Sequence, residues 1–143
     1  MAKLEATWPR GLKLAYAAIW AIGALCVLAL LGGLLSIYVN RYDGFNLEWL
    51  LLGAHTGLLF LLVAAAAGMS ARKRWGLWAG LAAFAELAAL GALVGVCVLS
   101  PRPLLGGLAD PDWWPLPAMY LACGAPGALL LRERRAYLDA ARP

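Results

Sequence analysis

WGLWAGLAAFAELAALGALVGVCVLS, residues 75–100, is an apolar stretch interrupted near its middle by a single carboxylate, Glu86. About 30 Å of hydrocarbon takes roughly 20 apolar residues to cross as an α-helix, so the stretch reads as a membrane span. A charged side chain at the centre of such a helix costs roughly 2.5–3.5 kcal/mol on insertion scales. Glu86 is therefore expected to be neutral, hydrogen-bonded, turned to a cavity, or received by a partner.

Working outward, three more apolar windows appear, at about 12–39, 47–69 and 116–131. The chain has 143 residues, 64% of them hydrophobic and 14% charged, with a mean hydropathy of +0.75. That is too little polar surface to cover a water-soluble globule. The reading is an all-α integral membrane protein, 1–143 forming one four-helix transmembrane bundle. The apolar run after Gly11 is too long for the core of a signal peptide, so the N-terminal segment is expected to stay as helix one.

The net charge of +4 is distributed as membrane flanks and does not suggest a nucleic-acid partner. Lys3, Arg10 and Lys13 precede the first span, Arg72, Lys73 and Arg74 separate the second from the third, and Arg132, Arg134, Arg135 and Arg142 follow the fourth. Only Arg41 and Arg102 fall on the other side. The positive-inside rule then puts both termini in the cytoplasm, in a membrane of the bacterial inner (plasma) type. Tyr16 and Trp20 at the inner end, Tyr38 at the outer end and Trp75 and Trp78 after the short basic loop suit aromatic belts.

Helix two carries His55 and Thr56, with Glu48 near its start. Glu48 and His55 are seven apart and share one face, while Gly53 and Gly57 share the opposite one. On helix three Glu86 shares a face with Ala82, Ala83, Ala89, Leu90, Leu93 and Cys97, and Gly91 and Gly95 point away. At 1.5 Å per residue His55 lies about 12 Å below the outer end of helix two and Glu86 about 14 Å above the inner end of helix three, so the two are close in depth. Two expectations follow for Glu86, His55 and Glu48. They form a proton or ion relay, or Glu86 is simply interhelical glue, hydrogen-bonded to His55, Thr56 or another subunit and contributing about 0.6 kcal/mol.

The spacings Gly53/Gly57, Gly76/Gly80 and Gly91/Gly95 are GxxxG patterns that let helices approach closely. The Gly53/Gly57 and Gly91/Gly95 faces are expected to serve contact with other membrane subunits or self-association. Asp110, Asp112, Trp113 and Trp114 form a candidate outer recognition loop, which also reads as an aromatic anchor. Pro126, in Cys123-Gly-Ala-Pro-Gly127, predicts a kink in helix four, and the tail from Arg132 is expected to lie as a short amphipathic helix on the inner surface. Cys26, Cys97 and Cys123 read as free thiols acting as small hydrophobes.

No catalytic motif and no metal-ligand spacing is present in the sequence, and no cofactor is implied. The function expected first is that of a non-enzymatic subunit of a larger membrane complex or homo-oligomer. The alternatives are a proton- or ion-coupled transporter or channel component using Glu86 and His55, and a redox or quinone-linked membrane subunit with His55 near the cofactor.

Overall fold

The computed structural model describes residues 8–40, 47–99 and 115–141, all built on helices. They are α1 (Arg10–Asn40), α2 (Leu47–Ser70), α3 (Arg74–Leu99), α4 (Pro115–Gly124) and α5 (Pro126–Ala140). The first three lie within two residues of the windows read from hydropathy, and each is long and apolar enough to cross a membrane. The candidate loop residues Asp110, Asp112, Trp113 and Trp114 lie outside the described residues, as do the side chains of Glu48 and Cys97.

The helices pack in a ring. α2 packs on α1 and α3, α3 on α4 and α5, and α5 closes back on α1. Along α1 and the residues just before it the buried positions are Trp8, Leu12, Ala15, Ile19, Ile22 and Cys26, alternating steps of four and three residues. This is the seam spacing of helices packed side by side at a shallow angle. α3 answers with Leu77, Gly80, Phe84, Leu87, Gly91 and Val94. The rest of the apolar surface turns outward, with Leu28 65% and Phe60 72% exposed. Among the described residues no polar or charged residue is fully buried, so the interior is held by shape.

The closest approach is between α2 and α3. A Cβ placed on Gly68 would fall 2.5 Å from the Gly76 Cα, and one placed on Gly76 would strike the backbone of Gly68 and Met69. The turn that makes this crossing is a Schellman motif. The Lys73 N–H donates to the Gly68 carbonyl at 2.8 Å and the Arg72 N–H to the Met69 carbonyl at 3.1 Å. Arg72 takes the left-handed conformation, φ 52°, that the motif demands and glycine usually supplies. Cysteines 26 and 123 are free thiols.

Around this turn, at the basic end of the ring, aromatic side chains tie three helices together. Trp8 meets Tyr16 edge-on at 5.5 Å between centroids and Tyr137 at 6.2 Å. Ser70 donates its hydroxyl to the Ala66 carbonyl at 2.7 Å, so in the 2.6 Å contact with Tyr16 the tyrosine is the donor. The Tyr137 hydroxyl donates to the Lys73 carbonyl at 2.8 Å, with the Gly68 carbonyl at 3.4 Å.

The kink expected at Pro126 is a break between two helices. Pro126 has no N–H and takes the first position of α5, while the Ala125 N–H still closes α4 onto the carbonyls of Leu121 and Ala122. The tail is not a separate surface helix. Arg132 to Ala140 continue α5 because Leu130 and Tyr137, seven residues apart, bury the same face against the core.

Two outcomes check this packing. Gly68→Ala or Gly76→Ala should lower stability by about 1–3 kcal/mol through overpacking, whereas Gly53→Ala, with nothing within 4 Å of the added carbon, should not. Denaturant titration in detergent followed by circular dichroism compares them, and equal stability of all three variants would refute the close crossing. Burial pushes the Tyr137 phenol from 10.0 up to about 12. The stabilisation from its neutral form is therefore complete below pH 10 and lost as pH rises towards 12. Wild type should lose stability over that interval more steeply than Tyr137→Phe.

Candidate functional site: the His55–Tyr120 pair and the Glu86 seam

His55 sits one turn beyond Leu51 on α2. Its Nδ1 lies 2.7 Å from the Leu51 carbonyl oxygen, and its Nε2 lies 2.9 Å from the Tyr120 hydroxyl of α4. A carbonyl only accepts, so Nδ1 carries the proton; in the neutral ring Nε2 then accepts, and Tyr120 is the donor. The rings lie 5.8 Å apart at a tilt of 54°. Tyr120 is brought there by Gly91 of α3, where an added Cβ would come within 3.1 Å of the Leu121 nitrogen and the Tyr120 Cβ. The Gly91/Gly95 face, expected to receive another subunit, is thus filled within the chain. α4 lies on it, with Pro117 against Gly95.

The pair lines a cavity of about 420 Å³ between α1, α2 and α4. Its other walls are apolar, among them Leu30, Gly33, Leu52 and Met119. The cavity exists because α1 makes its main contacts with α2 and α5 and not with α4. The break at Ala125 lets α5 lie against α1 while α4 follows α3.

Glu86 is placed elsewhere. Its carboxylate lies in the seam between α3 and α2, with Oε1 3.6 Å from the position a Cβ on Gly57 would occupy. The side chain is partly exposed, and its neighbours Gly53, Gly57, Ala82 and Ala89 are exposed. Thr56, expected as a partner for it, instead donates to the Leu52 carbonyl of its own helix at 2.8 Å. Neither ring nitrogen of His55 goes to Glu86. Of the residues proposed as a relay, His55 bonds towards α4 and Glu86 lies at the seam with no hydrogen bond between them, while the Glu48 side chain lies outside the described residues. Tyr120 is the residue that sequence reasoning missed. A tyrosine one turn into a helix beside the membrane boundary reads as an interfacial anchor, and only the Gly91 contact shows that it is turned inward.

Among the described residues no three histidines, cysteines or carboxylates come together as a metal-binding set. Compared with known protein families, characterised proteins and solved structures, the chain matches none.

Removing the Tyr120 hydroxyl leaves His55 Nε2 as an acceptor without its donor, a loss of about 1–3 kcal/mol where such a group is buried. Tyr120→Phe should lower the thermal unfolding temperature in detergent, and Thr56→Ala, which removes only a bond within one helix, should not. An unchanged melting temperature for Tyr120→Phe would mean that the pair does not hold α4 to α2.

Proposed function

We propose that the protein is a non-enzymatic membrane subunit that docks a transmembrane helix, from another subunit or a second copy, along the α2–α3 seam. The fold in this reading is a four-column transmembrane bundle, α4 and α5 together making the fourth column. Both termini and the Arg72 turn lie on the cytoplasmic side of a plasma-type membrane, in keeping with the clustering of basic residues at that end.

The observation that carries the reading is the position of Glu86. In a monomer surrounded by lipid this carboxylate meets hydrocarbon, at an insertion cost of roughly 2.5–3.5 kcal/mol when charged. A helix laid along the seam would bring a hydrogen-bond donor to it. The surface next to it suits such a helix, since Gly53 has open space beside it and Gly57, Ala82 and Ala89 keep the groove shallow. His55 hydrogen-bonds the Leu51 carbonyl and Tyr120 and not Glu86, which supports the subunit reading over a relay through the pair.

The test is association in mild detergent or native nanodiscs. Wild type should migrate with a partner or as an oligomer, and Glu86→Leu should dissociate while keeping its helical content and its own unfolding temperature. Wild type running as a compact monomer, or an assembly indifferent to Glu86→Leu, would sink the proposal.

A further inference from the structure

We propose that the cavity between α1, α2 and α4 binds a neutral, lipid-soluble amphiphile whose polar head is a hydroxyl group. The inference is independent of the α2–α3 seam, which lies on another face of α2.

The argument starts from the proton inventory of the His55–Tyr120 pair. The Leu51 carbonyl fixes the imidazole hydrogen on Nδ1, and Nε2 takes the one hydrogen that Tyr120 has to give. What the pair retains is an accepting lone pair on the Tyr120 oxygen. Among the described residues of the lining, His55 and Tyr120 are the only side chains that form hydrogen bonds. Those residues make an apolar space with one acceptor in its wall. A ligand that complements it donates a single hydrogen bond and is otherwise hydrocarbon. A ketone, ester or ether head would set acceptor against acceptor. An ammonium head donates but would bring an uncompensated charge into an apolar site.

The volume and access fit such a molecule. About 420 Å³ lies within the range of small-molecule sites, roughly 300–1,000 Å³. Its α1 wall carries Gly32 and Gly33, and a Cβ added at Gly32 would meet nothing within 4 Å. Gly32 and Ala29 are exposed and line the cavity, as is Met119 of α4. The mouth thus lies between α1 and α4, where a molecule dissolved in the bilayer enters sideways with its tail left among the lipids.

The experiment uses the full chain in lipid nanodiscs and a diazirine-bearing 4-alkylphenol as photolabel, with unlabelled 4-hexylphenol and its methyl ether, 4-hexylanisole, as competitors. Label should concentrate in peptides containing 29–33 and 116–120, and the phenol should compete at about tenfold lower concentration than the ether, the effect of one hydrogen bond. Tyr120→Phe alone bares His55 Nε2 as an acceptor in the same wall and should keep that preference, whereas the double variant His55→Leu/Tyr120→Phe, which takes the acceptor away, should abolish it. Gly32→Leu, which fills the mouth without touching the pair, should remove the labelling at normal helical content and elution volume, and so keeps the test decisive if the double variant folds poorly. Equal competition by phenol and ether, a preference that survives the double variant, or label spread evenly over lipid-facing positions such as Phe60 and Val63 would each overturn the proposal.

Discussion

Two glycine backbones in contact, Gly68 on α2 and Gly76 on α3, set the geometry from which the rest of the ring follows. With no side chain between them the helices cross at the shortest distance that main chain allows, immediately beside the turn that joins them. The Gly68, Met69 and Lys73 carbonyls of this turn find donors within the chain itself. Lys73 and Arg72 N–H groups close onto the last turn of α2, and the Tyr137 hydroxyl arrives from α5. In hydrocarbon the hydrophobic effect does not draw helices together, so close packing and a few hydrogen bonds carry the association. Here the Gly68–Gly76 crossing and the hydrogen bonds of the turn lie together at one end.

The opposite end is built differently. α4 lies on the glycines of α3, and α1 leans on α2, leaving between α1 and α4 a space whose wall carries the His55–Tyr120 hydrogen bond. The break at Ala125 is what allows the two ends to differ. Without it, one straight helix would have to satisfy both the α1 contact of α5 and the α3 contact of α4.

Hydropathy and glycine spacing made much of this readable from the residues alone. The long apolar windows gave α1, α2 and α3 almost to their ends, because apolar length is the property the bilayer selects. Pro126 marked the bend, since a missing N–H is a local fact. Helical periodicity separated the Glu86 face from the Gly91/Gly95 face correctly, but it could not say what each face meets. His55 and Glu86 share a depth, and depth alone suggested that they pair. The hydrogen bonds of His55 go instead to the Leu51 carbonyl and Tyr120, and the rotation about the helix axes that puts them there involves Gly91 receiving α4, a contact between residues about thirty apart in sequence that periodicity does not show. The end of α5 was missed for a related reason. The charges after Leu131 read as the start of a new, wet segment, whereas Leu130 and Tyr137 carry one buried face straight through them.

Arg72 occupies a position under two opposed demands. Its left-handed backbone costs a non-glycine residue about 1–2 kcal/mol, and a glycine there would relax the turn. Yet Arg72 is also one of three consecutive cations in the connection between two spans, the kind of cluster that decides which way a nascent hairpin enters the bilayer. A residue chosen for backbone conformation alone would be glycine; arginine keeps the charge. The strained backbone at this corner is what the turn bears to hold an unbroken run of three cations between two apolar helices.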